Sequence, residues 1–294
     1  MIHRRAEHST PATTPRKRRS LRQQFLRRSL IIPVEHGSWC WLLVPLLVGV
    51  GVGVSRGAQP GARLSVLLLF IGGLSVFLLR QPATTWLRIR RGRGRRSDRA
   101  PAAVWTTVLA LLSFLALSAL LLLGRQALLW LFLPVLVLLL LYVGIARSHR
   151  AGVRALWMEL AGAGGLALMA PAGYGAVTGA LDRAALLLGL LMALQNTLSV
   201  LYVRLRLADR YGRKGKPRTV VGAHLLGFII VALAAVQPHV PWAAALPFAT
   251  FLARAWWAAS KRRPLANIKR FGFTEVAVHL SSGLWIMVTF SAVQ

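Results

Sequence analysis

Nine continuously apolar stretches, separated by short gaps, make up most of this chain: residues 31–54, 62–80, 101–124, 127–146, 155–178, 184–203, 220–237, 240–258 and 272–291. At about 1.5 Å of rise per residue, runs of this kind are long enough to cross a hydrocarbon core roughly 30 Å thick. A backbone in lipid must satisfy its own hydrogen bonds, which leaves helices or closed barrels. The stretches are rich in Leu, Ala, Val and Gly and lack the period-two alternation of barrel strands. The expected fold class is therefore all-α: a polytopic membrane helical bundle of about nine transmembrane helices. A mean hydropathy of +0.58 with 56% hydrophobic residues is too apolar for a soluble domain of 294 residues.

The gaps alternate in charge. All but five of the 37 lysines and arginines fall in or at the edge of the N-terminal tail and every second gap; Arg56, Arg63, Arg125 and Arg183 lie in or beside the other gaps, and Arg254 lies within the stretch 240–258. Basic residues flanking membrane helices stay in the cytoplasm and meet anionic headgroups. This pattern places the N-terminus in the cytoplasm and, after nine passes, the C-terminus outside. It also accounts for the net charge of +30 without nucleic acid, which is not an expected partner. The basic tail has no aromatic interleaving of the kind that single-strand recognition uses.

Two parts are expected: a basic, disordered cytoplasmic arm over residues 1–28 and the helical bundle over 29–294. The arm is not a cleavable signal peptide, because the first apolar stretch exceeds a signal h-region and lacks an evident cleavage site. The single cysteine, Cys40, rules out an internal disulfide and reads as a small apolar packing residue. The largest basic gaps are "RQPATTWLRIRRGRGRRSDR" at 80–99, "RLRLADRYGRKGKPRT" at 204–219 and "ASKRRPLANIKRF" at 259–271. The second contains glycine and lysine without the Walker A spacing. Asp98 is expected to cap the third span, and Asp209, among arginines, to form a local salt bridge. Trp86, Trp157, Trp256 and Trp257 suit an interfacial aromatic belt.

Only seven acidic residues occur, and Glu35, Glu159 and Glu275 fall inside spans, where they are costly unless paired or watered. Glu35 is followed by His36. His279 follows Glu275 by four residues and shares its helix face. Gln195, Asn196 and His224 lie toward the same side of the bilayer. These eight residues are the candidates for lining a polar cavity open to the cytoplasmic interface. Each also has a plainer reading: Glu275 and His279 as a structural pair or helix-to-helix hydrogen bonds, Glu35 as a partner of a tail arginine, His36 as a headgroup-level histidine. The three histidines have no metal-ligand spacing, and no metal site is expected.

At "PVEHGSWCWLLVPLLVG" and "RRPLANIKRFGFTEVAVHL" the chain resembles the bacterial YwiC-like family of integral membrane proteins, which implies a bacterial plasma-membrane location. More distantly, the layout resembles the UbiA-type prenyltransferase superfamily. "WMELAGAGGLALMAPAGY" is similar to that superfamily's fifth span, and "GRKGKPRTVVGAHLLG" to the end of its second motif. The resemblance implies a UbiA-like architecture, with catalytic loops after spans two and six. Those enzymes carry aspartate motifs there to hold Mg²⁺ against a prenyl diphosphate. In this chain the two loops retain only Asp98 and Asp209 and are otherwise basic. Oxygen ligands for Mg²⁺ are missing, so neither Mg²⁺ nor any other cofactor is expected, no catalytic residue can be assigned, and enzyme activity is disfavoured.

The function expected from these observations is a divergent or non-catalytic prenyltransferase-like bundle. It would bind a lipid, quinone or isoprenoid in a cytoplasm-facing cavity, with Arg80, Arg88, Arg90, Lys216 and Arg218 as contacts for an anionic headgroup. Two alternatives are a membrane-embedded transferase acting on an isoprenoid and an accessory subunit docking partner proteins of a larger membrane complex.

Overall fold

The computed structural model describes residues 30, 32, 37–147 and 156–292. The expected N-terminal arm over 1–28, and Glu35 and His36, lie outside them. Among the described residues, ten α-helices follow one another, in chain order: α1 (Gly37–Arg56), α2 (Ala62–Arg90), α3 (Arg99–Leu122), α4 (Leu129–Arg147), α5 (Leu156–Leu166), α6 (Met169–Thr178), α7 (Arg183–Arg210), α8 (Pro217–Ala234), α9 (Leu246–Lys261) and α10 (Ile268–Ala292). The chain turns at residues 167–168, so α5 and α6 together make one pass. Among the described residues, seven rods are long and apolar enough to span a bilayer, with the α5–α6 pair counted as one. The remaining two are the apolar α4 and the 16-residue α9. The all-α polytopic bundle expected from hydropathy is what the chain forms.

Several basic gaps are shorter than hydropathy suggests. Helix α2 continues ten residues past the expected span end at 80, to Arg90, and α7 continues to Arg210. Hydropathy marks where lipid ends, whereas a helix ends where its backbone meets a stop. Here α2 stops at the turn around Gly92, which has a left-handed φ of 74°, and α7 stops at the turn around Gly212, with φ of 61°. Asp98 immediately precedes α3, as expected of a cap, but its backbone is helical and its side chain makes no capping bond, because a short 3₁₀ turn over Arg96–Asp98 leads into the helix. Asp182 does cap: its Oδ1 accepts from Ala185 N of α7 at 3.0 Å, and its Oδ2 accepts from the Tyr174 hydroxyl at 2.6 Å.

Helix α1 and the α5–α6 rod occupy the centre. Half of the apolar window of α1 and 61% of that of α5–α6 are buried, against 17% for α2 and α3. Helices α2 and α3 form a peripheral hairpin, and α2 also packs on α4 and α6. Side chains such as Phe114, Leu122, Trp130 and Leu133 are left exposed there, which suits a surface solvated by lipid tails. On the other side, α8 packs on α9 and α7, and α10 packs on α1.

Small residues set the central contact. Gly49 and Gly53 of α1 stand four apart, the spacing that lets membrane helices approach closely. A Cβ on Gly49 would lie 1.9 Å from the Ala170 carbonyl oxygen of α6. In return, Gly173 of α6 sits against the backbone of Leu46 and Val50. The main apolar core grows around this contact from Val44, Val48 and Val52 of α1, Leu188 and Met192 of α7, Phe248 of α9, and Ile286 and Phe290 of α10. Cys40 packs partly buried against the same core, in the small apolar role expected of it.

The two ends of the bundle differ. The basic end holds the turns at 91–98, 211–216 and 262–267, and the opposite end holds those at 57–61, 123–128, 179–182 and 235–245. One outer-gap charge has become structural at the opposite end. Arg125 is 3% exposed and donates from Nε to Ser65 Oγ, from Nη1 to Gln59 Oε1 and from Nη2 to the Pro60 carbonyl. It thereby ties the α3–α4 turn to the α1–α2 turn.

Candidate functional site

Four helices bring polar side chains together at one depth near the basic end. Glu275 lies seven residues into α10, His224 seven into α8, Arg254 seven before the end of α9 and Tyr202 eight before the end of α7. Each is therefore roughly 10–12 Å from the basic end of its helix. They line a small cavity of about 20 Å³, with Ser199, Phe251, Val278 and His279 completing the wall. That is room for about one water-sized group.

An ion pair organises the chamber. The Arg254 guanidinium donates through Nη2 to Glu275 Oε1, and both side chains are largely buried. The guanidinium carbon also sits 4.6 Å from the centroid of the Tyr202 ring, and Tyr202 in turn contacts Phe271 of α10. A charge in lipid is tolerated when it is paired and faces the bundle interior, and this pair meets both conditions. The pair leaves the chamber close to electrically neutral.

The two histidines differ in how they are held. His224 Nδ1 is 2.8 Å from the Val220 carbonyl oxygen one turn earlier, which fixes that nitrogen as the donor. His279 is 4% exposed, and its Nε2 has no hydrogen-bond partner among the described residues. Gln195 donates from Nε2 to the His279 carbonyl at 3.3 Å, and its Oε1 is likewise buried without a partner. A buried polar atom left unpaired costs about 1–3 kcal/mol; of these two residues, His279 lines the cavity. Asn196, fully buried, points elsewhere: its Nδ2 donates to the carbonyls of Ala163 and Trp41, joining α7 to α5 and α1.

Further toward the opposite side, Phe248, Ile286 and Phe290 are buried in the apolar core. Nearer the basic end of the same helices lies an arginine–aspartate network. Asp209, whose side chain is 2% exposed, accepts from Arg206 Nη1 at 3.1 Å and from Arg262 Nε at 2.6 Å. Arg206 and Arg210 also donate to the carbonyls of Arg263 and Leu265. The α9–α10 turn is thus strapped to the end of α7, and Asp209 has the salt-bridge role expected from its setting. Arg262 is held at a left-handed φ of 24°, the only such non-glycine residue among those described.

Of the eight cavity candidates, Glu275, His279 and His224 line this chamber, and Gln195 stands beside it. Glu159 does not: it pairs with Arg204 at 2.8 Å on a half-exposed face of α5 and α7. Asn196 is used in helix packing. The headgroup candidates divide between two sides of the bundle. Arg80, Arg88 and Arg90 belong to α2, whereas Lys216 and Arg218 lie at the start of α8, which packs on α7 and α9. Arg90 stacks on Trp86, with its guanidinium carbon 4.8 Å from the ring. The sequence candidates omit Arg254 and Tyr202. An arginine within the apolar run 246–258 is the signal for the first, because a lone cation at that depth requires an acidic partner. Among the described residues, no three His, Cys, Asp or Glu side chains gather as metal ligands.

Residues 32–174 match the family model described as YwiC-like protein. The chain thus carries a YwiC-like segment that runs from before α1 into α6, as the motif at 33–49 implies. The segment ends at Tyr174, so all the chamber residues, and the second stretch of resemblance at 262–280, lie beyond it. No curated protein and no solved structure matches the chain.

Proposed function

We propose that this multipass membrane protein binds the uncharged oxygen head of an amphipathic ligand, a quinone, quinol or prenyl alcohol, in the chamber between α7, α8, α9 and α10. The observation that carries this reading is the unpaired Nε2 of His279 beside a water-sized cavity whose charges, Arg254 and Glu275, already neutralise each other. A carbonyl or hydroxyl oxygen matches the cavity in size. It matches it in chemistry too, because a hydroxyl can donate to His279, and a carbonyl can accept from His279 in its other tautomer. A diphosphate would bring its negative charge against the Glu275 carboxylate. The reading therefore favours the quinone and isoprenoid classes over an anionic headgroup for this site.

The apolar core around Phe248, Ile286 and Phe290 argues for binding over passage across the membrane, since a transport path needs polar access from both faces. With the basic end facing the cytoplasm by the positive-inside rule, the ligand enters from the inner leaflet. The test is equilibrium binding of a short-chain quinone and of geraniol to the purified protein, with geranyl diphosphate as competitor. His279→Leu is expected to weaken binding about tenfold, as loss of one buried hydrogen bond of about 1.4 kcal/mol would. Geranyl diphosphate is expected not to compete. Absence of binding by both neutral ligands, or displacement by the diphosphate, refutes the reading.

A further inference from the structure

Helix α9 carries a second cavity on its far side. Phe251, Arg254, Ala255 and Ala258 face the bundle interior, whereas Leu252, Ala253, Trp256 and Trp257 point the other way. With Val221 and Leu225 of α8, these four line a groove of about 590 Å³ on the outside of the α8–α9 pair. That volume falls within the roughly 300–1,000 Å³ of small-molecule sites. Trp256 and Trp257 are each 61% exposed, so the groove opens toward lipid.

The groove has a polarity axis. On α9 its lining runs from Ala249 to Lys261, about 18 Å at a helical rise of about 1.5 Å per residue. That is a little more than one leaflet of a hydrocarbon core of about 30 Å. The wall is apolar until its basic end. There the tryptophans appear, followed by Ser260 and by Lys261, whose Nζ stands 4.1 Å from the centroid of the Trp257 ring. Arg262 and Arg263 continue the chain, both exposed. Aliphatic wall, aromatic belt and cation follow one another in the order of a leaflet, from acyl chains to headgroups.

We propose that this groove is a binding site for one anionic phospholipid of the basic-end leaflet, with an acyl chain lying between α8 and α9 and the phosphate on Lys261. A lipid anion complements the cationic rim. A second copy of the chain, related by a twofold axis, would set the Lys261–Arg263 cluster against its own duplicate, which like-charge repulsion opposes. The site faces away from the chamber and is independent of what binds there.

The test is native mass spectrometry of the full-length protein in mild detergent. It is titrated with palmitoyl-oleoyl phosphatidylglycerol and with phosphatidylcholine of the same acyl chains. Wild type is expected to retain one phosphatidylglycerol about fivefold better, roughly the worth of one lysine near an anionic surface. Ala253→Trp, which fills the groove from an exposed position, is expected to reduce that retention at least severalfold. Val221→Trp repeats the block from the facing helix, should the first variant not fold. Lys261→Ala is expected to erase the preference between the two lipids while both still bind. Equal retention by the filled variants, no preference in wild type, or a dimer that the filled variants abolish would each overturn the proposal.

Discussion

The Arg254–Glu275 pair is the most exacting test of how the chamber is held together. Arg254→Met leaves Glu275, 14% exposed, as a carboxylate without its cation, and Glu275→Met leaves Arg254, 26% exposed, without its anion. Breaking a buried pair by removing one partner costs about 3–5 kcal/mol. The residual exposure puts both single changes at or below the low end of that range. Arg254 also keeps its place over the Tyr202 ring after Glu275→Met, which retains a cation–π contact of about 0.5–1 kcal/mol. The expected losses are about 3 kcal/mol for Arg254→Met and about 2 kcal/mol for Glu275→Met. The double variant leaves no unpaired charge, and an apolar replacement of similar size is tolerated, so its loss is expected near 2 kcal/mol, giving a coupling of about 3 kcal/mol. Reversible unfolding in mixed detergent–SDS micelles, followed by tryptophan fluorescence for all four proteins, measures the cycle. A double variant that loses the sum of the two single losses refutes the reasoning, because the two groups would then be solvated separately.

Three further outcomes follow from the packing. Gly49→Leu is expected to prevent α1 from seating on α6, since a Cβ alone would lie 1.9 Å from the Ala170 carbonyl oxygen. Size-exclusion chromatography should show loss of the monodisperse species, while Gly222→Ala, with nothing within 4 Å of its Cβ, behaves as wild type. Arg125→Leu strands the acceptors on Gln59, Pro60 and Ser65 and is expected to cost about 3 kcal/mol, read as a lowered thermal midpoint. Asp209→Ala releases two arginines from the network that straps the α9–α10 turn to α7. Hydrogen exchange at residues 262–267 should accelerate by tenfold or more, about 1.4 kcal/mol or more of local stability, with the opposite end unchanged.

Much of the bundle is legible from hydropathy because, in lipid, each span's backbone is satisfied within the span itself. Continuous apolar runs therefore report helices one by one. The same signal misplaces helix ends, as at Arg90 and Arg210, because a helix can leave the hydrocarbon and continue until a glycine stops it. It also misses the break at 167–168, where both sides remain apolar. Candidate site residues were legible by type alone. Glu275 and His279 were tied together by their spacing on one helix. Glu159 has the same composition-level signature, yet it pairs with Arg204 on a half-exposed face.

What the sequence determined by itself is local: which segments suit lipid, which end of the bundle is basic, and which polar residues lie at membrane depth. The tertiary structure decided the partners. It set Arg254 of α9 against Glu275 of α10, placed His224 of α8 in the wall beside them, and left His279 Nε2 without a partner among the described residues. It also turned Arg125 from a topological exception into a clamp. The physical reason is that the cost of burying a polar group depends on what stands within about 3 Å of it. In a bundle, that neighbour usually comes from another helix, at a sequence distance that no local pattern records.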